Sequence, residues 1–208
     1  MTLGVLPWFG LAYLLGAIPT SYLVARLVRG VDLRTVGSGN LGATNLYRQM
    51  GWRWAIPVAV FDLLKGMVPV VLFARWAGVG GVPAVLLGVM AMLGHVYSVF
   101  VGFKGGKGVA TGAGIVLGVA PWAFLASLVA WGLVVRASGY VSLGSIVGAI
   151  VFPIAAWFAH PAQRGLAWLH LLLALAIIVL HRANIQRLLR GTENRFGQQP
   201  RPAGETTP

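Results

Sequence analysis

Between Val36 and Arg48 the chain reads VGSGNLGATNLYR, a polar and small-residue run in an otherwise strongly apolar protein. Gly37, Gly39 and Gly42 let the backbone turn its N–H groups inward and approach a ligand closely. Successive inward N–H groups form an anion-binding nest, and a helix starting after the turn adds the positive end of its dipole. Ser38, Asn40, Thr44 and Asn45 supply side-chain donors. The planar fork of Arg48 fits a phosphate through two parallel hydrogen bonds. The chemistry implied is capture of a phosphate. The competing reading is a flexible interhelical loop. Glycines alone would favour that reading, but glycines with this many donors and an arginine favour the cradle.

Two further stretches carry polar groups in a useful pattern. Phe103-Lys104-Gly105-Gly106-Lys107-Gly108 is glycine-rich, doubly basic and placed just before an apolar run. Its spacing is not that of a Walker A motif and no Ser or Thr follows the lysine, which argues against a nucleotide triphosphatase. Backbone N–H groups of Gly105, Gly106 and Gly108 with Lys107 suit a second phosphate. The alternative is a basic loop with turn glycines. Near the C-terminus, His181, Asn184, Arg187 and Arg190 recur every three residues and would line one face of a helix leaving the membrane. A basic amphipathic helix on anionic lipid competes with a site here. It competes more strongly for Arg187 and Arg190 than for His181 and Asn184. Glu193 is the one acid near this basic cluster and is expected to pair with an arginine and brace it.

The remaining polar groups lie inside apolar stretches. Asp62 and Lys65 can pair across one helical turn. Intramembrane ionisable groups are functional candidates by default, but a self-neutralising pair that positions helices fits equally. Ser142 and Ser145 could bond across helices, or Ser145 could face a ligand. His95 falls near a basic end, whereas His160 and His170 look incidental. No nucleophile–base pair stands out. Abundant anion binding with little acid–base machinery suits chemistry on an already activated phosphate compound, where orientation and charge neutralisation carry most of the rate.

The elements that must position these groups are membrane helices. Of 208 residues, 58% are hydrophobic and only 10% charged, and the mean hydropathy is +0.81. Soluble domains carry about 25% charged residues. A net charge of +12 would suggest nucleic acid for a soluble protein. In a membrane protein it reads as the topology signal, so no nucleic-acid partner is expected. There is no cysteine, which removes disulfides, thiolate metal sites and cysteine nucleophiles. The four acids, Asp32, Asp62, Glu193 and Glu205, are too scattered for a carboxylate-bound divalent metal. The first apolar stretch lacks a basic leader, and Gly16-Ala17-Ile18-Pro19 is a poor cleavage site, so it reads as a retained helix.

Spans of about 20 apolar residues are predicted at Gly4–Val28, kinked at Pro19, then Trp54–Trp76, Val82–Phe100, Val141–Phe158 and Leu166–Leu180. The mass from Val109 to Val135 is divided by Pro121 into a short fourth and a fifth helix. The expected fold is therefore an all-α integral membrane protein with seven transmembrane helices. Residues 1–196 form one transmembrane domain, and 197–208 a Gln/Pro/Thr-rich tail expected to be disordered. With the N-terminus outside, Arg26, Arg29, Arg34, Arg48, Arg53, Lys104, Lys107, Arg136, Arg182, Arg187, Arg190, Arg195 and Arg201 all fall inside. Arg75 and Arg164 fall outside. The positive-inside rule thus predicts an external N-terminus and a cytoplasmic C-terminus. Merging of the fourth and fifth helices would flip everything after them, and the basic C-terminal segment argues against that. All three polar stretches then meet on the cytoplasmic face.

At these stretches the sequence resembles the bacterial acyl-phosphate:glycerol-3-phosphate acyltransferases, the PlsY family. The motifs are GSGNLGATNLYR, then GH…GFKGGKGVAT, then HRANIQRLLRGTEN, with DLLKG from Asp62 to Gly66. The resemblance covers nearly the whole chain in order and spacing. It implies a seven-helix enzyme of the bacterial inner membrane with a cytoplasmic site. Such an enzyme moves an acyl group from acyl phosphate to the sn-1 hydroxyl of glycerol 3-phosphate, giving lysophosphatidic acid and inorganic phosphate. By position, Ser38, Arg48, Lys107 and His181 would hold glycerol 3-phosphate. Gly39, Asn40, Gly42, Thr44 and Asn45, with Gly105, Gly106 and Gly108, would hold acyl phosphate. Asn184 and Ser145 would orient the reacting groups, Asn184 also touching glycerol 3-phosphate. The family needs no metal, no cofactor and no acyl-CoA, and is linked to the enzyme that makes acyl phosphate from acyl carrier protein. One departure is Tyr97-Ser98, where the family usually carries Phe-Pro, which bears on local helix shape.

Three rivals are compatible with a basic membrane protein. An organic-phosphate transporter should place its anion site near the midplane, often between inverted repeats, whereas the basic groups here crowd one face. An alcohol phosphotransferase acting on a nucleotide-activated lipid needs an acidic metal-binding array. A regulatory subunit that merely binds anionic lipid is the third.

Overall fold

The structure, a computed structural model, describes residues 3–197, so the predicted disordered tail lies outside the described residues apart from Gly197 itself. Those residues are helical and contain no strand. The first apolar stretch is two helices, α1 (Leu6–Ala17) and α2 (Thr20–Arg29). Ile18 is extended, at φ −56° and ψ 112°, as the ring of a following proline requires. After the cradle come α3 (Ala43–Met50) and α4 (Trp52–Val68). A π-helical turn (Pro69–Phe73) and the short α5 (Ala74–Trp76) carry α4 on. Then follow α6 (Gly81–Val96), α7 (Val109–Val119) and α8 (Pro121–Ser138). The chain ends with α9 (Val141–Ala159), α10 (Ala167–Leu180) and α11 (Arg182–Leu189).

Among the described residues, six helical segments are long and apolar enough to cross a membrane: Leu6–Arg29, Trp52–Trp76, Gly81–Val101, Pro121–Ser138, Val141–Ala159 and Pro161–Leu180. The predicted fourth helix is present as α7, with 11 residues. It ends at Ala120, where Pro121 starts the next helix. Being short, it is not among the six.

Contacts sort the connections into two ends. At one end, Lys107 bonds Asn184, Arg48 bonds the Asn194 carbonyl, and the Phe196 amide donates to Gly139 O at 2.6 Å. At the other end, Trp8 packs on Phe73 and Trp76. There too Gln163 Nε2 donates to Val119 O at 2.9 Å. The chain alternates between these ends. Arg75 and Arg164 stand at the far end and Lys65 within a span; every other Lys and Arg of the described residues stands at the end that holds the three polar stretches.

Helices approach closely through reciprocal glycines. A Cβ at Gly66 would strike the Thr111 carbonyl, and one at Gly114 the Leu63 carbonyl, so α4 and α7 touch backbone to backbone. Gly16 and Gly94 do the same for α1 and α6. Without water to expel, dispersion at such contacts is what holds membrane helices together. Gly144 and Gly148 lie against the α8 backbone, whereas Gly112 meets only ordinary contacts and borders the cavity described below.

The break at Ile18–Pro19 would leave carbonyls unpaired inside the bilayer, where each costs several kcal/mol. Side chains fill the gap. Lys65 Nζ donates to Ile18 O at 3.0 Å, and Ser98 Oγ donates to Ala17 O. Lys65 also pairs with Asp62 at 2.7 Å, both fully buried. Ser98, at the departure from the family motif, therefore does the work of a donor that proline lacks.

Candidate active site

The cradle is built around Asn45, which is 1% exposed. Its Oδ1 accepts the Ser38 amide at 3.1 Å, and its Nδ2 faces the carbonyls of Leu33, Val36 and Asn40 at 3.1–3.2 Å. This amide is consumed by its own loop. It stands where a ligand group was expected and acts as the loop's frame. Gly37 has φ +59°, and a Cβ there would meet Asn45 Oδ1. The Gly39 amide donates to Val36 O at 3.1 Å. Helix α3 starts next, with Gly42 at its N-cap and no side-chain cap. The N–H groups of Ala43 and Thr44 therefore have no partner within the helix, and both residues border the cavity with Ser38 and Asn40.

The second loop is docked differently from expectation. The Gly105 amide donates to Val96 O at 2.9 Å and the Gly106 amide to His95 O at 3.1 Å. A Cβ on Gly105 would strike His95 O, and one on Gly106 the His95 ring. These two glycines seat the loop on the end of α6, so their amides are spent and neither lines the cavity. Gly108 does line it. At φ +71° it turns the chain into α7, whose first turn also lacks a side-chain cap. Two uncapped helix N-termini thus open into one space.

The C-terminal residues close the ring. Lys107 Nζ bonds Asn184 Oδ1, and Asn184 Nδ2 donates to Glu193 Oε1 at 2.7 Å. Ser142 Oγ donates to the same oxygen at 2.8 Å, and Arg187 Nε donates to Glu193 Oε2 at 2.7 Å. One buried carboxylate therefore ties α9, α11 and, through Asn184, the second loop. Both ends of the Asn184 amide are taken by this chain of bonds. His181 is 3% exposed, and its Nδ1 lies 2.8 Å from Ile177 O. A carbonyl can only accept, so Nδ1 carries the proton and Nε2 is left as an acceptor. Burial lowers the His181 pKa, with the nearby Lys107 charge adding to it. Ser145 Oγ donates to Val141 O at 2.9 Å, within its own helix.

Arg48 is half-buried. Its Nη2 donates to Asn194 O at 3.3 Å, while its Nε is buried with no partner. Burial lowers its pKa, and Arg187 contributes in the same sense. Lys107 is pushed down to about 8, first by burial and then by Arg187. Arg48, Lys107 and Arg187 face a single carboxylate, Glu193, at one cavity. Arg48 and Lys107, both with lowered pKa values, crowd one cavity with Arg187, a charge pattern suited to binding an anion.

The cavity holds about 400 Å³. Its polar mouth is bordered by Ser38, Asn40, Gly42, Thr44, Arg48, Lys107, Gly108, His181, Asn184 and Glu193. Asn45 and Ser145 also border it, while Gly39, Gly105 and Gly106 do not. Below the mouth it continues as an apolar shaft between α7, α8, α9 and α10. Several contributors escaped the sequence reading. The Asn194 carbonyl and the stack of Tyr47 on Phe196, 4.9 Å between centroids, fold the last described residues over the mouth. No local pattern signals a backbone carbonyl, though an aromatic after a basic helix was visible. Asp62, a candidate from the sequence as an intramembrane charge, and His95 also border the cavity, from the α4 and α6 side.

The family profile described as glycerol-3-phosphate acyltransferase matches residues 6–191. A glycerol-3-phosphate acyltransferase of Geobacter sulfurreducens is 48% identical over 187 residues, covering 89% of this chain and 94% of that one. One of Trichlorobacter lovleyi is 45% identical over 196 residues, covering 94% and 99%. Two crystal structures of PlsY, an integral membrane glycerol 3-phosphate acyltransferase, share the fold. Its glycerol 3-phosphate form gives a TM-score of 0.86 at 40% identity, covering 93% of this chain and 96% of that one. Its lysophosphatidic acid form gives 0.83 at 37%, covering 94% and 97%. With the family profile matched over residues 6–191 and the fold shared along almost the full length, this chain belongs to the PlsY family of integral membrane glycerol-3-phosphate acyltransferases.

Proposed function

We propose that this chain transfers a fatty acyl group from an acyl phosphate to the sn-1 hydroxyl of glycerol 3-phosphate. The products are lysophosphatidic acid and inorganic phosphate, at the start of phospholipid synthesis. The observation that carries the reading is the cavity's division. A mouth with three cations, one carboxylate and two uncapped helix N-termini sits on an apolar shaft. That pairing fits phosphate groups above and a hydrocarbon chain below.

In this reading Arg48, Lys107 and Ser38 hold the phosphate of glycerol 3-phosphate. His181 Nε2 accepts from a glycerol hydroxyl and orients it. Asn40, Gly42, Thr44 and Gly108, through the helix N-termini they border, neutralise the acyl phosphate. Gly39, Asn45, Gly105 and Gly106 hold the two loops in shape, and Asn184 and Glu193 set the position of Lys107. Ser145 lies where the mouth meets the shaft and faces the acyl carbonyl. The hydroxyl oxygen attacks the acyl carbon, the carbon–oxygen bond to phosphate breaks, and the phosphate leaves with that electron pair. The hydroxyl proton passes to a phosphate oxygen. The helix N-termini and cations stabilise charge as it gathers on the leaving group.

The setting belongs to the same proposal. The chain makes seven crossings, α7 being the fourth, with its N-terminus outside and its site on the cytoplasmic side of the bacterial inner membrane. A soluble partner reaction converts acyl groups on acyl carrier protein into the acyl phosphate. The test is the purified protein in bilayer discs with palmitoyl phosphate, glycerol 3-phosphate and a chelator, following release of inorganic phosphate. Turnover is expected with palmitoyl phosphate and none with palmitoyl-CoA. Robust turnover with the thioester, or loss of all activity to the chelator, refutes it.

A further inference from the structure

The walls of the shaft change character with depth. About midway they are lined by Gly112 and Ala113 of α7, Ser127 of α8, Gly148 and Ala149 of α9, and Ala174 of α10. All six are small. The deepest bordering residue of each helix is bulky: Val116, Phe124, Phe152 and Leu173. Beneath these, Ala120, Ala123, Ala156 and Leu169 are at most 3% exposed and belong to one close-packed cluster with Phe152 and Leu173. The shaft is therefore a tube opened by small side chains and stopped by large ones. Phe124 and Phe152 are the two rings of the stop, and Phe152 is the more deeply buried. It is 4% exposed, and its ring is backed at 4.9 Å by that of buried His170.

We propose that Phe152 is the residue that sets the length of acyl chain the enzyme prefers. This rests on the functional reading above and adds to it a specificity determinant. From Ser142 at the mouth to Phe152 is ten residues of one helix, about 15 Å at 1.5 Å per residue. An extended chain advances about 1.2 Å per bond, so the shaft seats about twelve carbons before the chain meets the ring. Leu128 reaches both the shaft and the lipid face of α8, so a chain can slip in from the bilayer, but the floor fixes its depth. Each methylene that leaves water for the fitted apolar wall adds up to about fourfold in kcat/KM, and one that leaves lipid gains only by the closeness of its fit. Methylenes beyond the floor add nothing or clash.

The test compares wild type, Phe152→Ala and Ala149→Phe with a graded series of saturated acyl phosphates. In wild type, kcat/KM is expected to climb with chain length and break near about twelve carbons, by the shaft depth above. Phe152→Ala should move the break longer by about four carbons, the width of one ring. Ala149→Phe, one turn nearer the mouth, should move it shorter by about four, since three residues rise about 4.5 Å. The opposed shifts cannot both come from general damage, and Phe152→Leu gives a milder version if the alanine variant folds poorly. An unmoved break in all variants overturns the proposal. If wild type does not use acyl phosphate, the functional reading fails instead. The shaft is then tested alone by binding a lysophosphatidic acid series to the same variants, with the same shifts required.

Discussion

A guanidinium with a buried, unpartnered Nε and an Nη2 leaning on a backbone carbonyl keeps part of its planar fork free for an anion. A topology charge needs only its sign, so Arg48→Lys would then be silent. A two-pronged phosphate ligand loses its fork. Removing one charge-assisted bond costs about 1.5–3 kcal/mol, or roughly ten- to hundredfold in kcat/KM. That loss is expected mainly in the Michaelis constant for glycerol 3-phosphate, with Arg29→Lys as the silent control, both read by steady-state kinetics. Lys107 adds a pH signature. Its pKa is pushed down to about 8 by burial and by Arg187, so its charge is present below that pH and lost as pH rises through it. Since kcat/KM reports the free enzyme, it should fall above about 8 by this titration. Lys107→Arg, which stays charged, should abolish that alkaline limb while lowering the plateau. A limb that survives the exchange belongs to another group. At this scale the sequence pointed to side chains that the fold brings to one cavity, as with Arg48, Lys107 and His181. It did not show that the amide groups of Asn45, Gly105 and Gly106 bond to the protein's own backbone. A donor-rich loop must also satisfy its own backbone, and nothing in the residue type tells which donors are spent.

At the scale of elements the break in the first span is the most exacting feature. The kink at Pro19 was legible in the sequence, but not what repairs it, because Lys65 and Ser98 come from far along the chain. Their donors cover the Ile18 and Ala17 carbonyls. Asp62 neutralises Lys65 and approaches His95 at 3.9 Å, and the His95 carbonyl in turn seats the loop before Lys107. The Asp62–Lys65 pair therefore joins α2, α4, α6 and the second loop. Removing one partner of a buried pair costs about 3–5 kcal/mol, because the other charge is stranded. Lys65→Met should therefore lower the thermal midpoint of the detergent-solubilised protein sharply. Asp62→Asn added to it should recover a good part of that loss, though not all, since Ile18 O loses its Lys65 donor and keeps only those of Thr20. A double variant no more stable than Lys65→Met would show that the pair is not what holds these helices. Ser98→Ala should cost about 1–3 kcal/mol, the penalty for one buried acceptor left bare.

Across the whole molecule, six apolar segments were readable from hydropathy and the helix division at Pro121 was visible too, while the reason a short α7 can lie among longer helices was not. Its 11 residues are about 16 Å long, against a hydrocarbon core of about 30 Å. A lipid-facing helix of that length would leave polar ends in hydrocarbon. Yet Thr111, Gly112, Gly114, Ile115 and Val116 are buried in protein, and helix ends shielded by neighbours need not match the bilayer. Its two ends also meet opposite ends of the molecule. Gly108 borders the mouth of the cavity, and Val119 O takes a bond from Gln163 at the start of the last apolar segment. A crossing at α7 leaves Arg136, Arg182, Arg187, Arg190 and Arg195 on the side of the cradle. Without one, these cations would part from Arg48 and Lys107, and the positive-inside bias would largely cancel. Reporter fusions decide the matter. A fusion within Gly78–Gly80 should read as periplasmic, and fusions at Gly139 and after Gly197 as cytoplasmic. The decisive outcome is at Gly139, because it follows α7 and α8 and stands beside Arg195 and Phe196. A periplasmic reading there, with Gly78–Gly80 also periplasmic, would mean that α7 fails to cross. The C-terminal residues could then not close over the phosphate site, and the assignment of Asn184 and Glu193 to the placement of Lys107 would fall with it.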